Sequence, residues 1–85
     1  MYIHNRKVKK VDVLIAFLFH DNQDIRYEIH NYDKGVVYGF AYELSIEKDK
    51  FIRINDEDSS EPFSLCFTHI RKIVIKTGVI KFYMV

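Results

Sequence analysis

Eighty-five residues make one small domain, 1–85, and at that size only about 60–65% of the unfolded surface can be buried, which argues against a large enclosed substrate pocket. The composition, 48% hydrophobic and 15% aromatic with one Pro and three Gly, excludes a disordered chain, and the single cysteine, Cys66, excludes an internal disulfide and a multi-cysteine metal site. The formal net charge of +1 is too small to argue for nucleic acid by itself, but it is segregated: residues 1–10 carry Arg6, Lys7, Lys9 and Lys10, residues 62–85 carry Arg71, Lys72, Lys76 and Lys81, neither stretch holds an acid, and 21–61 hold eleven of the twelve acids.

In chain order, the first apolar run has Val11, Val13, Ile15, Phe17 and Phe19 on one side of an extended segment and Leu14, Ala16 and Leu18 on the other. This pattern predicts a strand buried on both faces and central in a sheet. Its continuous apolar stretch, the seven residues Val13–Phe19, falls far short of the ~20 needed to span a bilayer, and no small-residue cleavage site follows, so a soluble chain without a targeting segment is expected. Asp21-Asn22-Gln23-Asp24 reads as a turn. Ile25, Tyr27 and Ile29 then alternate with Arg26, Glu28 and His30, predicting a half-exposed strand that pairs with the first as a hairpin.

Asn31-Tyr32-Asp33-Lys34-Gly35 is the next turn, followed by a long strand in which Val36, Tyr38, Phe40, Tyr42 and Leu44 alternate with Val37, Gly39, Ala41, Glu43 and Ser45. Gly39 inside that strand predicts a bulge, a bend or a close approach by another part of the chain. After the polar turn Glu47-Lys48-Asp49-Lys50 come a short strand at Phe51, Ile52, Arg53 and Ile54 and an acidic loop from Asn55 to Pro62. Phe63, Leu65 and Phe67 mark another strand, Thr68-His69-Ile70-Arg71 a single helical turn, and Ile73-Val74-Ile75 a return to extended structure. Thr77-Gly78 turns the chain into a last strand from Val79 to Val85 that exposes Lys81 and Tyr83. Apolar and terminal, this strand is expected at an edge, where it could pair with a second copy of the chain. No segment keeps a helical period over ~10 residues, so the chain is expected to be all-β. Short strands with tight turns every 8–12 residues point to a strongly bent, SH3-like or Sm-like barrel of about five to seven antiparallel strands, with an OB-type barrel as the alternative.

From Gly39 onward the features fall in a familiar order: Gly39-Phe40-Ala41-Tyr42-Glu43-Leu44, then Phe51-Ile52-Arg53-Ile54, an acidic loop, Pro62 to Phe67, and Ile70-Arg71-Lys72-Ile73. This order resembles the YolD-like family of small bacterial and phage proteins, which have a glycine-led strand, an Ile-x-Ile strand and a closing apolar element. The closing element departs from that pattern as Leu65-Cys66-Phe67-Thr68-His69-Ile70, and the family's helical N-terminal extension is missing. The resemblance covers about half the chain; it implies an SH3-like fold and a binding role, and it brings no catalytic residues.

Little in the sequence suggests catalysis. Cys66 and His69 could form half a zinc site on a helical turn, but two further ligands are lacking, and a structural cysteine and a turn histidine are the simpler reading. Cys66 paired with His30 or His69 as a nucleophile lacks an orienting third group. The run Asn55-Asp56-Glu57-Asp58-Ser59-Ser60-Glu61 has calcium-friendly side chains without the order of a calcium loop, so a solvated loop or a docking patch of Asp56, Glu57, Asp58 and Glu61 is expected. Six Tyr and seven Phe exceed what so small a core can hide, making Tyr2, Tyr32, Tyr38, Tyr42 and Tyr83 candidates for the surface.

These features predict a small, cytoplasmic, non-enzymatic regulator or inhibitor without a cofactor, docking a charged, tyrosine-bearing surface on a larger protein such as a nucleic-acid enzyme. Residue usage rich in Ile, Lys, Asn, Asp, Tyr and Phe is that of a low-GC bacterium or its phage. The alternative is a module for single-stranded nucleic acid that uses Arg6, Lys7, Lys9, Lys10, Lys76 and Lys81 with Tyr83. A membrane is not an expected partner.

Overall fold

Alternation of apolar and polar residues builds a sheet that buries one face of nearly every strand. The computed structural model describes the backbone of residues 2–4 and the residues 25–76 and 78–85. Among them are β1 (Tyr2–His4), β2 (Ile25–Asn31), β3 (Gly35–Glu47), β4 (Phe51–Asp56), β5 (Phe63–Cys66), β6 (Ile70–Lys76) and β7 (Val79–Met84), with one 3-10 turn at Phe67–His69 before β6. The all-β expectation therefore holds for the described residues. The strand expected over residues 11–20, the turn at 21–24 and the cations Arg6, Lys7, Lys9 and Lys10 lie outside them.

The strands form one sheet in the order β1-β6-β7-β2-β3-β4-β5. Three expectations need correction. The sheet is mixed, because β2 and β7 run parallel, with Arg26 opposite Val79 and His30 opposite Tyr83, while the other neighbours are antiparallel. The strand from Val79 is not an edge: β7 lies between β6 and β2, so both of its ladders are occupied. Its alternation marks a buried face, with Ile80 and Phe82 fully enclosed, and alternation says nothing about which strands stand at either side. Third, β2 has β3 on one side and β7 on the other, which leaves Ile25–Asn31 no edge for a hairpin with residues 11–20. Among the described residues the sheet is open, ending at β1 and β5 with no ladder joining them.

The described strands curl around their shared apolar face. The extents of 30 × 29 × 27 Å are far from those of a flat layer, which would be about 10 Å thick. Tyr27, Ile52, Ile54, Ile70, Ile73, Ile80 and Phe82 from β2, β4, β6 and β7 share one core. Leu65 and Phe67 close it from β5 and the following turn, where the Phe67 N–H bonds to the Lys50 carbonyl at 2.8 Å.

Local chemistry explains the bends. Gly35, at φ +78°, ends the β2–β3 turn in a conformation that costs other residues more. The tight β3–β4 turn places Lys48 and Asp49 at φ 54° and 58°, a geometry usually given to Asn-Gly, and is closed by the Lys50 N–H on the Glu47 carbonyl at 3.1 Å. The β3–β4 register shifts between Ala41 and Glu43, so the bulge foreseen near Gly39 falls around Tyr42. Gly39 itself serves the close approach: a Cβ there would collide with the Asp56 carboxylate and lie 2.9 Å from the Tyr27 hydroxyl. The approaching groups are side chains from β2 and β4.

Candidate nucleic-acid interface

Directly paired residues of neighbouring strands project on the same side of a sheet, so the register gives the outer face row by row. One row runs Lys72, Tyr83, His30, Val36 across β6, β7, β2 and β3. The next runs Val74, Lys81, Glu28, Tyr38, and the third Lys76, Val79, Arg26, Phe40. Three strand spacings make this face about 14 Å wide. It carries Lys72, Lys76, Lys81 and Arg26 against one acid, Glu28, with aromatics on β7 and β3.

Glu28 organises the centre. Its carboxylate accepts from His30 Nε2 at 2.9 Å and lies 3.8 Å from Lys81 Nζ and 3.7 Å from Arg26 Nη2. The His30 hydrogen bond foremost, then the charges of Lys81, His30 and Arg26, hold its pKa below the ordinary glutamate value although partial burial opposes this. The His30 and Tyr83 rings stack at 4.4 Å with 17° between planes, and Lys72 Nζ stands 4.5 Å from the Tyr83 ring centre. Tyr83, offered by the sequence as an open stacking residue, is thus engaged by both a ring and a cation. Lys81 is likewise in an ion pair, whereas Lys76 is exposed.

The open aromatic surface lies on β3. Tyr38 and Phe40 are 67% and 50% exposed, and the Arg26 guanidinium is 5.7 Å from the Tyr38 ring centre. Of the other surface candidates, Tyr32 and Tyr42 are exposed, and the Tyr2 side chain lies outside the described residues. Phe40, Arg26 and Lys72 were missed as site residues. The outward alternation of Arg26 and Lys72 was visible, but their convergence depends on strand order.

Beside His30 and Tyr83 of the first row a cleft of about 380 Å³ is lined by these two residues with Asn31, Tyr32, Arg71, Met84 and Val85.

The acidic loop is only partly a patch. Asp56 is a correction: it is 8% exposed, accepts a short hydrogen bond from the Tyr27 hydroxyl, and accepts the Asp58 N–H at 2.7 Å. A carboxylate beside a run of turn residues caps the turn before it faces a partner. Burial first, then the Asp56 hydrogen bond and charge, push the Tyr27 pKa upward, so this pair is a fixed strut between β2 and β4. Glu57, Asp58 and Glu61 are exposed in the β4–β5 loop, and the Glu57 N–H bonds to the carbonyl of Phe40 at 2.9 Å.

Cys66 Sγ lies 3.1 Å from Thr68 Oγ1, and that hydrogen bond is the main reason its thiol pKa is lowered. Among the described residues no group of three or more His, Cys, Asp or Glu side chains could hold a metal ion, and no helix is long and apolar enough to cross a membrane.

No family model, curated protein or solved structure matches the chain. The YolD-like resemblance therefore stands on its spacing alone.

Proposed function

We propose that this protein is a non-enzymatic binding module for single-stranded nucleic acid, contacted across the outer face of β6, β7, β2 and β3. The carrying observation is the register that puts Lys72, Lys76, Lys81 and Arg26 on one face with Tyr38 and Phe40. Proteins that hold single strands without strong sequence preference combine a cationic track with aromatic platforms. Here Tyr38 and Phe40 are the platform and β6, β7 and β2 the track. Phosphates compete with Glu28 for Arg26 and Lys81. A nucleic-acid ligand and a lone cysteine both suit a cytoplasmic protein. The curl of the sheet around one core supports a small SH3-like or Sm-like barrel, which would need a closing ladder between its outermost strands.

Fluorescence anisotropy with a labelled oligothymidylate of about 12 nucleotides tests this reading. Engaging the four cations gives a slope of log K against log salt approaching −3, from about −0.7 per phosphate. Lys76→Ala should make that slope shallower by about 0.7, and Tyr38→Ala should weaken binding about tenfold through lost stacking. Salt-insensitive binding, or none at low salt to either DNA or RNA, refutes it.

Exposure of Glu57, Asp58 and Glu61 in one loop favours a second reading, a regulator that docks on a basic surface of a larger protein, such as a nucleic-acid enzyme. Charge reversal of these three residues would abolish that docking and leave oligonucleotide binding unchanged.

A further inference from the structure

We infer that the first half of β3 is an edge that pairs with the same edge of a second copy of this chain, antiparallel about a two-fold axis through Val37. The inference does not depend on the single-strand reading.

β3 is 13 residues long, but β4 covers its far side only from Ala41 to Glu47. Among the described residues, residues 36–39 pair with β2 and have no strand on their other side. The last bond on that side runs from the Glu57 N–H to the Phe40 carbonyl, so the Phe40 carbonyl points away from β2. Backbone groups alternate along a strand, and the N–H and C=O of Tyr38 and Val36 therefore point the same way, into the open edge. A row of open donors and acceptors is a template for another strand, which native sheets blunt with charge or proline. Neither occurs between Val36 and Phe40. Val36, Val37, Tyr38 and Phe40 are instead 48–67% exposed, with Val37 on the core face opposite Ile29.

The occupant follows from self-complementarity. A strand added beside residues 36–39 must stop short of the Phe40 carbonyl, which Glu57 occupies. Centring the pair on Val37 meets that limit. Val36 then lies opposite the second copy's Tyr38 and exchanges both N–H···O=C bonds with it, and the axis repeats this on its other side. Val36 packs against the second copy's Tyr38 on the outer face, and the two Val37 side chains meet on the core face. The β2–β3 turn of each copy, where Asp33 offsets Lys34, comes to the Glu57–Asp58 end of the other without net repulsion. Two exposed rings and two valines from each copy bury on the order of 800–1,000 Å² in total, the range of weak and reversible dimers. An isologous contact closes on itself, so assembly stops at two copies. The outer faces of the two sheets then run on as one, with Tyr38 and Phe40 of both copies near its centre.

The test is sedimentation equilibrium of the full chain between about 10 μM and 1 mM, with a monomer–dimer equilibrium and a Kd inside that range expected. Val36→Pro removes an N–H that faces the open edge and spares the β2 ladder, so it should weaken the dimer at least tenfold. Val37→Lys sets two ammonium groups face to face on the axis and should do the same. In a Cys66→Ser background, Val37→Cys should give a covalent dimer with oxidised glutathione, because directly opposed residues of a non-hydrogen-bonded pair have Cα atoms about 4.5 Å apart, within disulfide reach. Lys48→Cys, in the β3–β4 turn, should not. Urea melts check that each variant folds, and if Val36→Pro does not, Val37→Lys and the crosslink decide.

A chain that stays monomeric at 1 mM overturns the inference, and protection of the Val36 and Tyr38 amides from exchange in that monomer would show the edge covered by the chain itself. A dimer indifferent to Val37→Lys and to Val36→Pro places the contact elsewhere and overturns it too. Crosslinking through Lys48→Cys as efficient as through Val37→Cys overturns the register.

Discussion

Gly39→Ala tests the strut that joins β2, β3 and β4. In an ordinary strand this substitution stabilises by about 0.5–1 kcal/mol, because glycine has more unfolded-state freedom to lose. Here the added methyl would collide with the Asp56 carboxylate and meet the Tyr27 hydroxyl at 2.9 Å and its Cζ at 3.1 Å. Neither neighbour is the free end of a flexible chain: Tyr27 and Asp56 are 3% and 8% exposed and hydrogen-bonded to each other. Relief means overpacking, at about 1–3 kcal/mol, or breaking that bond over a buried carboxylate, at about 1–3 kcal/mol more. The net expectation is a loss of about 2–4 kcal/mol, which in a chain of this length lowers Tm by roughly 10–25 °C. Urea and thermal denaturation followed by circular dichroism measure it. Tyr27→Phe removes the hydroxyl from the crowded space, so Gly39→Ala in that background should cost at least 1 kcal/mol less, a coupling that a double-mutant cycle reads directly. A Gly39→Ala variant as stable as the parent, or a cycle with no coupling, refutes the strut.

Glu28→Gln should have opposite effects on stability and binding. Because the folded-state pKa of Glu28 is lowered, its contribution is fully present above the unfolded value near 4.3 and disappears as pH falls through the folded value. The stability gap between parent and Glu28→Gln in urea melts should therefore be open at neutral pH and close in acid. The same variant frees Arg26 and Lys81 and should tighten oligothymidylate binding about threefold or more in anisotropy at low salt, as expected for cations released to phosphate. Replacing Lys48-Asp49 by Asn-Gly should raise urea-melt stability by about 1 kcal/mol, since both positions hold positive φ. Phe82→Ala should cost about 3–5 kcal/mol in the same melts, because Phe82 is fully enclosed in β7.

Much of the local structure was legible because a period of two leaves its mark residue by residue. Ile25, Tyr27 and Ile29 point inward, Ile80 and Phe82 are buried beneath Lys81 and Tyr83, and the turns at Asn31–Gly35 and Glu47–Lys50 fall where their compositions put them. Gly39 was correctly singled out, since a gap in a strand is a local sign of something close by. Strand order was not legible. Nothing near Val79 distinguishes an edge from an interior strand, because both bury alternate residues, and a parallel partner 53 positions away leaves no local trace. The interface inherited that blindness: Lys76, Lys81 and Tyr83 could be named, while Arg26 and Phe40 join them only once β7 is known to lie beside β2. Asp56 misled for the reverse reason, since its acidic neighbours masked a carboxylate recruited by a distant tyrosine.

The parallel ladder between β2 and β7 is also a seam in time. It joins Arg26 to Val79 and His30 to Tyr83, whereas β2-β3-β4-β5 is a run of hairpins and β6-β7 another, each able to zip from its own turn. Bringing residues 53 apart together carries a loop-closure entropy of roughly 3–4 kcal/mol before any contact across the seam offsets it. Folding should therefore assemble two hairpin modules early and join them across this seam afterwards. The His30–Tyr83 stack and the Glu28–Lys81 pair lie across that junction, so the binding face does not exist until the two modules meet. A strand bound across it clasps the two modules together, and occupancy slows their separation in proportion to ligand concentration.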